Sequence, residues 1–382
     1  MIPVKTLAGK QIVVAVTGSI AAVETIKLIH ALRRKGAAVQ PVMSPAAAGI
    51  IHPDATTYAA GRETISRISG LVEHVIYCGD QGSADLLLIA PCTANTIGKI
   101  SCGIDDTPVT TFATTAIGSG RPVVIVPAMH HSMYRHPAVV ENIARLKAWG
   151  IDVVDPLIEE GKAKIAGVDE IVLSCERAVM KGPLLGQKVL ITSGACREPV
   201  DDIRVLTTRS SGEIGRALAL QAYRLGGDVT VVHSGQFPSV KNIHAGTAGE
   251  MRDAVRSVFE GAGADVYISA AAISDFAPKK INGKIPSGKR VELVLEPLPK
   301  LLENVRKNYS PTIIAFKLGR DHDETARTMV ANGIDMVLLN SPETMGNTTG
   351  DYTLMTKTDK KPINGTKEEI ACAIWDEIIR QR

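Results

Sequence analysis

The sequence lacks any apolar run near the length of a membrane-spanning helix. Its strand-like runs, such as DLLLIAP and PVVIVPAM, fall well short of the roughly 20 residues that cross a bilayer. The N-terminal stretch MIPVKTLAGK has neither the apolar core nor the small-residue cleavage site of a secretory signal. We therefore expect a cytoplasmic protein with no membrane partner.

The sequence also lacks closely spaced cysteine pairs and a large net charge. The six cysteines are scattered, and none form a CxxC motif, so neither zinc nor a redox dithiol is indicated. A formal net charge of +3 over 382 residues argues against a dedicated nucleic-acid surface. With 45% hydrophobic and 22% charged residues, the composition is typical of an ordinary globular protein.

What the sequence does contain is an alternation of strands and helices that starts twice. QIVVAVTGS opens the first series, which lapses in ERAVMKGPLLGQ; KVLITSG opens the second, which includes a hairpin predicted at YTLMTKT. Repeated alternation of this kind indicates a parallel sheet with helices on both faces. We predict two domains, residues 1–180 and 188–382, joined by a linker at 181–187.

Ligands of open α/β sheets bind beyond the carboxyl ends of the strands. Gly18 and Ser19 follow the first strand and open a helix, whose unpaired N–H groups attract phosphate. Ser44 follows the second strand and is predicted to cap the next helix. A two-domain NAD(P)-dependent oxidoreductase is the alternative, but the absence of the full GxGxxG dinucleotide motif counts against it.

Two later strand ends carry more specific motifs, APCTANT at 90–96 and PAMHHSMY at 127–134. After the TGSIAA turn, they resemble the PASANT and PxMNxxMW motifs of flavin-containing cysteine decarboxylases, the family that includes phosphopantothenoylcysteine decarboxylase. The resemblance covers roughly residues 9–175. It implies an FMN cofactor, and the implied contacts are Gly18, Ser19, Ile20, Ser44, Thr93, Ala94 and Asn95.

The same resemblance implies catalytic residues. His74, in LVEHVIYCGD, lies where the family has its base, and an imidazole can take up a proton near neutral pH. Without the resemblance, a solvated histidine is the simpler interpretation. His130 replaces a substrate-binding asparagine of the family and can still donate to a carboxylate; with Met133 it is implied to contact the decarboxylase substrate.

The proton donor is left open. The implied reaction oxidises the carbon that bears the thiol before CO2 leaves, and the cofactor carries that chemistry. The family's decarboxylases then protonate the product from a cysteine on a flap, but GKAKIAG at 161–167 contains no cysteine. Cys78, Lys162 and His131 are the candidates in this chain.

The second domain begins with TSGACREPVDDIRVLTTRSSGEIG, which resembles the opening motif of phosphopantothenate–cysteine ligase. The matching positions are Thr192, Gly194, Arg197, Glu198, Pro199, Asp201, Arg204, Ser210, Ser211, Gly212 and Gly215. The SSG turn opens a helix and can hold phosphate, although simple capping of that helix explains the serines equally well.

SAAAISDFAPKKINGKIPSG resembles the nucleotide loop of the same ligase. The resemblance implies CTP with Mg2+, and Lys284 facing the triphosphate, where its charge would assist acyl transfer. A solvated basic loop is the alternative for Lys284, and simple core packing for Phe316. The implied contacts are Ser210, Ser211, Gly212, Ala270, Ala271, Asp275, Lys284 and Phe316.

The ligase half departs from the family pattern. Thr208 replaces an asparagine tied to the acyl-nucleotide intermediate, and Thr328 and Asn332 stand where the family has nucleotide-binding lysines. Arg320 or Arg327 could substitute for them. These departures suit a distant, archaeal-type branch, and they keep an inactive flavin- or nucleotide-binding sensor as a further alternative.

Taken together, the two resemblances predict a bifunctional enzyme of coenzyme A biosynthesis. One half would join 4′-phosphopantothenate to cysteine through an acyl-cytidylate, and the other would decarboxylate the product to 4′-phosphopantetheine. Two three-layer α/β domains of Rossmann-like or flavodoxin-like type are expected. The resemblance also implies a homo-oligomer, built from decarboxylase trimers and ligase dimers up to a dodecamer.

Overall fold

The apolar runs of the sequence form the central strands of two parallel sheets. The computed structural model describes residues 5–159, 161–180, 182–288, 290–319, 322–344 and 346–381. The chain divides into one unit of residues 1–180 and a second of residues 181–382. The predicted fold class, a mixed α/β protein with mostly parallel sheets, is confirmed.

The first unit contains a doubly wound sheet. Its strands are β1 (Gln11–Val16), β2 (Ala38–Met43), β3 (Leu86–Cys92), β4 (Val123–Pro127), β5 (Met129–His130), β6 (Asp152–Val153), β7 (Leu157–Glu159) and β8 (Lys162–Lys164). Five of them pair in parallel in the order β2-β1-β3-β4-β6. This is the flavodoxin-like order, in which ligands bind where the winding direction reverses.

Helices cover both faces of this sheet. They are α1 (Thr25–Arg34), α2 (Pro45–Ala48), α3 (Pro53–Ala60), α4 (Glu73–Cys78), α5 (Ala94–Ser101), α6 (Pro108–Gly118), α7 (His131–Tyr134), α8 (Pro137–Ala148) and α9 (Val168–Val179). Along β1, Ile12 and Val14 belong to the buried cluster that includes α1 and α9 residues, whereas Val13 and Ala15 belong to the cluster that includes α6 and α8 residues. Since successive strand residues point to opposite faces, the unit has three layers.

The first helix begins later than the sequence predicts. Residues Ile20–Glu24 form a 3-10 helix, and α1 follows from Thr25. The Ala22 N–H donates to the Ser19 carbonyl at 2.8 Å, which is the i to i+3 bond of a 3-10 turn. Ser44 caps α2 as predicted, its hydroxyl accepting from the Ala47 N–H at 3.2 Å.

Three short strands form a small antiparallel sheet that no pattern in the sequence predicts. Its order is β5-β8-β7, and His130 pairs with Lys162 across β5 and β8. Strands of two or three residues are too short for an alternating pattern to identify. The pairing places the lysine-containing segment GKAKIAG beside the strand that carries His130.

The second unit has a larger sheet. Its strands are β9 (Lys188–Thr192), β10 (Arg197–Pro199), β11 (Val205–Thr207), β12 (Asp228–His233), β13 (Lys241–His244), β14 (Val266–Ser269), β15 (Phe276–Pro278), β16 (Leu295–Pro297), β17 (Thr312–Leu318), β18 (Met336–Asn340), β19 (Thr349–Met355) and β20 (Lys360–Thr366). Eight strands pair in the order β13-β12-β9-β14-β17-β18-β19-β20. Pairing is parallel up to β18 and antiparallel beyond it, and β19 and β20 form the predicted hairpin. Two small pairs, β10-β11 and β15-β16, lie outside this sheet.

The helices of the second unit are α10 (Glu213–Arg224), α11 (Ala248–Glu260), α12 (Leu301–Asn308), α13 (Asp323–Ala331) and α14 (Lys367–Arg380). Buried Trp375 on α14 donates from its indole N–H to the Leu218 carbonyl on α10 at 2.9 Å. The segment predicted as a linker also packs here: Leu184 is buried in this unit's core, and its N–H donates to the Leu225 carbonyl at 2.9 Å. Lys181 lies outside the described residues.

Over the described ranges, no helix combines the length and the apolar character that crossing a membrane requires.

Candidate active sites

A cavity of about 630 Å³ opens at the carboxyl ends of β1, β3 and β4. Its volume lies within the range of small-molecule sites, about 300–1,000 Å³. The residues that line it are Gly18, Ser19, Ile20, Ala21, Val23, Glu24, Thr93, Ala94, Ala128, Met129, His130, Met133, Lys162, Ala163, Lys164 and Ile165. The structure therefore brings together the predicted TGSIAA, PASANT-like and PxMNxxMW-like segments.

The turn after β1 is held close to its neighbours. A Cβ atom on Gly18 would lie 2.5 Å from the Cβ of Ala46, so only glycine fits without displacement. Buried Thr17 donates from its hydroxyl to the Pro91 carbonyl at 2.7 Å and accepts from the Thr93 N–H at 3.1 Å. Thr17, which is not among the predicted site residues, thus links the turn after β1 to the turn after β3.

Two predicted FMN residues do not line this cavity. Ser44 is buried, and its hydroxyl accepts from the Ala47 N–H, so the helix cap uses that oxygen. Asn95 is exposed on the first turn of α5. Thr93, by contrast, lines the cavity and also caps α5, its hydroxyl accepting from the Thr96 N–H at 3.3 Å.

The β5-β8-β7 sheet forms one wall of the cavity. His130 and Lys162 lie opposite each other in the β5-β8 pairing, and both line the cavity. Lys164 is paired with Glu159 at 3.3 Å, whereas Lys162 has no ion pair within the described ranges. The arrangement provides an imidazole and a free ammonium group on one wall, which suits an anionic substrate.

His74 does not line the cavity of its own chain. It lies on α4, with its ring packed edge-on against Phe112 at 6.5 Å between centroids. Its Nδ1 is buried and has no hydrogen-bond partner in the described structure. Buried polar atoms without a partner are rare and require an explanation such as an unseen ligand or partner.

The buried cysteines of this unit are unsuited to proton transfer in the cavity. Burial raises the pKa of the Cys78 thiol to about 12, and it raises the pKa of Cys92 and Cys175 further. None of these thiols lines the cavity. Of the candidate proton donors Cys78, Lys162 and His131, only Lys162 lines it.

In the second unit, the SSG turn meets the turn that follows β9. Gly212 has a φ of +75°, and a Cβ atom there would lie 3.0 Å from the Gly194 Cα. Gly212 is also the N-cap of α10, with no side-chain cap of its own, and the Ser211 hydroxyl is 3.5 Å from the Glu213 N–H. The capping interpretation of the serines therefore has weak support, and N–H groups of the first turn are available to an anion.

Other predicted nucleotide residues lie at the same edge of the sheet. Ala270 follows β14, and its N–H donates to the Thr192 carbonyl at the end of β9 at 3.1 Å. Phe316 lies on the adjacent strand β17, half-buried, with its ring edge-on to Tyr352 at 6.1 Å. Ala271 is half-buried beside Ala270, whereas Asp275 is exposed on the following loop.

Thr208 has a buried hydroxyl group that forms no hydrogen bond among the described residues. The neighbouring Thr207 hydroxyl donates to the Cys196 carbonyl at 2.8 Å. On α13, the Thr328 hydroxyl donates to the Glu324 carbonyl of its own helix, and Arg320 lies outside the described residues.

Lys284 is exposed on a loop that follows β15 and has no ion pair among the described residues. Its neighbour on that loop, Lys280, is paired with Asp202 at 2.8 Å. Throughout the described ranges, no group of three or more His, Cys, Asp or Glu side chains is arranged to hold a metal ion.

Comparison with known proteins gives the family. Residues 2–180 match the Flavoprotein family, and residues 184–381 match the DNA/pantothenate metabolism flavoprotein C-terminal domain. The chain is 44% identical over 388 aligned residues to the coenzyme A biosynthesis bifunctional protein CoaBC of Thermococcus kodakarensis, covering 98% of this chain and 96% of that protein. The chain belongs to the CoaBC family. The CoaBC protein of Methanocaldococcus jannaschii is 35% identical, with 98% of this chain and 94% of that protein covered.

A solved structure of the C-terminal domain of CoaBC is 26% identical, with a TM-score of 0.45, and covers 53% of this chain and 98% of that domain. Membership of the CoaBC family confirms the prediction of a bifunctional coenzyme A biosynthesis enzyme of archaeal type, with a decarboxylase half and a ligase half.

Proposed function

We propose that the second unit joins 4′-phosphopantothenate to cysteine with CTP and Mg2+, and that the first unit decarboxylates the product to 4′-phosphopantetheine with FMN. The observation that carries the proposal is the cavity at the carboxyl ends of β1, β3 and β4, lined by residues of all three predicted flavin-decarboxylase motifs. Family membership supports both activities.

The cavity residues fit a flavin nucleotide. Gly18 admits close approach of the turn, because any side chain there would meet Ala46. Ser19, Thr93 and Ala94 offer hydroxyl and backbone groups at the carboxyl edge of the sheet, and these would hold the cofactor. When bound, FMN supplies reversible oxidation of the carbon that bears the thiol, which allows CO2 to leave.

We assign substrate binding to the wall formed by β5 and β8. The His130 imidazole and the Lys162 ammonium lie opposite each other there and can both donate to the cysteinyl carboxylate. Met133 adds an apolar contact beside them. A carboxylate bound this way enters a mostly apolar cavity with its charge compensated.

Decarboxylation replaces a carboxylate by hydrogen, so each turnover releases CO2 and consumes one proton. We assign the donor of that proton to Lys162 Nζ, because Lys162 is the one candidate that lines the cavity. The buried Cys78, with a pKa raised to about 12, is enclosed elsewhere in the unit. General acid catalysis of this kind contributes about 10²–10⁴-fold.

His74 is assigned as the base that accepts a proton from the substrate. Since it does not line the cavity of its own chain and its buried Nδ1 lacks a partner, we place it at the cavity of a neighbouring copy. The proposal therefore includes a homo-oligomer, of the trimer-based kind implied by the sequence resemblance.

In the ligase unit, the carboxylate of 4′-phosphopantothenate would attack the α-phosphorus of CTP and release pyrophosphate. The amine of cysteine would then displace CMP and form the amide. The open N–H groups of the first turn of α10, with Ser210 and Ser211, would hold phosphate, and Lys284 would balance the charge of the triphosphate. The unpartnered Thr208 hydroxyl is suited to bond the acyl intermediate.

The test uses the purified full chain with 4′-phosphopantothenate, cysteine, CTP and magnesium. We expect a yellow protein that releases pyrophosphate only when 4′-phosphopantothenate is present, and then CO2 and 4′-phosphopantetheine. Lys284→Gln should depress pyrophosphate release and leave the colour intact. Lys279→Gln, at another exposed lysine of the same loop, is the matched control. A colourless protein, or turnover without CTP, would refute the proposal.

The proton donor is tested separately. Lys162→Met should lower decarboxylation at least about 100-fold while the flavin absorbance and its titration with FMN stay unchanged. Lys147→Met is the control, because Lys147 is paired with Asp155 and does not line the cavity. Equal losses in both variants, or loss of flavin from Lys162→Met alone, would remove Lys162 from this role.

A further inference from the structure

The loop that carries Lys284 is tied to the turn at residues 200–204 by backbone hydrogen bonds. The Ile281 N–H donates to the Val200 carbonyl at 3.0 Å, and the Asp202 N–H donates to the Gly283 carbonyl at 3.3 Å. These two bonds bring distant parts of the sequence together just before Lys284.

Asp201 binds the peptide group on the far side of Lys284. Its Oδ2 accepts from the Ile285 N–H at 3.0 Å, and its Oδ1 accepts from the Ile203 and Arg204 N–H groups at 2.8 and 2.6 Å. The Arg204 guanidinium also donates to Oδ2. The Ile285 N–H, followed by the Ile203 and Arg204 groups, holds the pKa of Asp201 well below its usual value. The side chain is fully enclosed and ionised at neutral pH.

Asp202 binds the peptide group on the near side. Its Oδ2 accepts from the Gly283 N–H at 2.9 Å, and its Oδ1 pairs with Lys280 at 2.8 Å. Lys280 and the Gly283 N–H together lower the pKa of Asp202. Each carboxylate is therefore balanced by its own cation, Arg204 or Lys280, and Lys284 is left without an ionic partner among the described residues.

We propose that Asp201 and Asp202 are positioning residues of the ligase site, which fix Lys284 by binding the N–H groups of Gly283 and Ile285 on either side of it. This proposal rests on the proposed role of Lys284 at the triphosphate. A long lysine side chain loses much rotational freedom when it binds, and a fixed backbone limits the additional ordering required. Carboxylates serve well here, because charge-assisted N–H···O bonds are stronger than neutral ones.

The arrangement also explains why the carboxylates do not repel the nucleotide. Asp201 is paired with Arg204, and Asp202 with Lys280, so neither carboxylate is left uncompensated next to Lys284. A cation in that position acts on the phosphates as a point charge.

The test compares Asp201→Asn and Asp202→Asn in the full chain, with Glu292→Gln as the matched control. Glu292 lies on the same segment, is exposed and pairs with Arg290, and among the described residues it has no hydrogen bond or ion pair with residues 283–285. At position 201, an asparagine that keeps its carbonyl bonds to the Ile203 and Arg204 N–H groups turns its NH2 towards the Ile285 N–H and loses that bond. At position 202, an asparagine loses the charge that pairs with Lys280, and its bond to the Gly283 N–H becomes a weaker neutral one. Amide hydrogen exchange in a peptide covering 281–288 should accelerate at least about tenfold in both variants and stay unchanged in the control.

Pyrophosphate release supplies the functional readout. In Asp201→Asn the KM for CTP should rise about tenfold while the KM for cysteine stays constant, and Asp201→Glu should recover part of the loss. A general folding defect would lower the active fraction and leave both KM values unchanged. Unchanged exchange or an unchanged KM for CTP in Asp201→Asn overturns the positioning role.

Lys284→Gln, measured in parallel, separates this proposal from the proposed function. If Lys284→Gln depresses pyrophosphate release and Asp201→Asn does not, the positioning role alone is wrong. If Lys284→Gln has no effect, the nucleotide role of Lys284 is wrong, and the positioning role falls with it.

Discussion

Gly18 lies where the turn after β1 passes closest to α2. Gly18→Ala would bring two Cβ atoms to 2.5 Å, and neither belongs to a flexible side chain. We expect the turn to shift and flavin binding to weaken at least about tenfold, which corresponds to about 1.4 kcal/mol. Fluorescence titration with FMN measures this. Gly118→Ala is the control, because a Cβ atom there meets nothing within 4 Å, and equal affinity in both variants would contradict the fit.

Thr208 permits a test that separates activity from stability. Its buried hydroxyl has no partner in the described structure, so Thr208→Val should leave the thermal unfolding midpoint unchanged or raise it. Ligase turnover should fall about fivefold if the hydroxyl bonds only the reacting substrate, since a hydrogen bond contributes about 1 kcal/mol.

Thr207→Val is the contrasting variant for Thr208→Val. Its hydroxyl donates to the Cys196 carbonyl, so its loss should lower the unfolding midpoint and affect turnover little. If Thr208→Val destabilises the protein as much as Thr207→Val does, the Thr208 hydroxyl has an ordinary structural role.

Among the helices and strands, α14 is anchored by a buried carboxylate. Glu377 accepts from Lys361 on β20 at 2.5 Å and from Arg380 and Gln381 on its own helix, and these bonds lower its pKa from 4.5 to about 2. Because the pKa of Glu377 is lower in the folded state than in the unfolded state, its ionised form stabilises the fold at pH values above the unfolded-state pKa. This contribution is lost as the pH falls towards 2. Glu377→Gln should therefore destabilise the second unit by about 2 kcal/mol at pH 7, and the difference should shrink between pH 4.5 and 2.

Urea unfolding at pH 7 and pH 3 checks this expectation. The sequence has two tryptophans, and in a Trp149→Phe background the buried Trp375 on α14 reports the second unit. Asp376→Asn, an exposed neighbour on the same helix, serves as the control. A Glu377→Gln effect of the same size at both pH values would argue against the ionised anchor.

The sequence predicts the regular elements better than the connections. Continuous apolar runs such as QIVVAV and LLLIAPC predict buried strands, and both form them. A strand that is covered on both faces is apolar at nearly every position, so the run itself marks the strand. The β5-β8-β7 sheet cannot be predicted in this way, because strands of two or three residues are too short to show an alternating pattern of apolar and polar residues. The bonds between Asp201 and Ile285 join positions far apart in the chain, which no local pattern encodes.

The residues of the candidate sites also differ in how well the sequence predicts their positions. Motif positions directly after strands, such as Gly18 and Thr93, line the cavity, because parallel strands end at one edge of the sheet. Two other predicted contacts do not line it: Asn95 is exposed on the first turn of α5, and Ser44, although it directly follows β2, caps a helix. Lys162 joins the site only because a short antiparallel pairing brings it opposite His130.

For the whole molecule, each buried cluster draws its residues from one unit. Those of the first unit fall within residues 7–175, and those of the second within 184–378. We expect a fragment of residues 1–180 to fold, bind FMN and decarboxylate added 4′-phosphopantothenoylcysteine. A fragment of residues 182–382 should release pyrophosphate from CTP with 4′-phosphopantothenate.

Visible absorbance and coupled pyrophosphate detection follow the two fragments. The negative control is a fragment of residues 1–120, which lacks β4 and so cannot complete its sheet. An insoluble 1–180 fragment beside a soluble full chain would show that the units depend on each other for folding.

Burial of the cysteines limits how the protein can react with its own proposed metabolites, because cysteine and 4′-phosphopantetheine are both thiols. Exchange with a cellular disulfide requires an accessible thiolate, and Cys78, Cys92 and Cys175 are buried, with Cys102 the exposed cysteine of the first unit. Cystine or an oxidised product would therefore form a mixed disulfide at Cys102 and leave the interior of the first unit chemically unaltered.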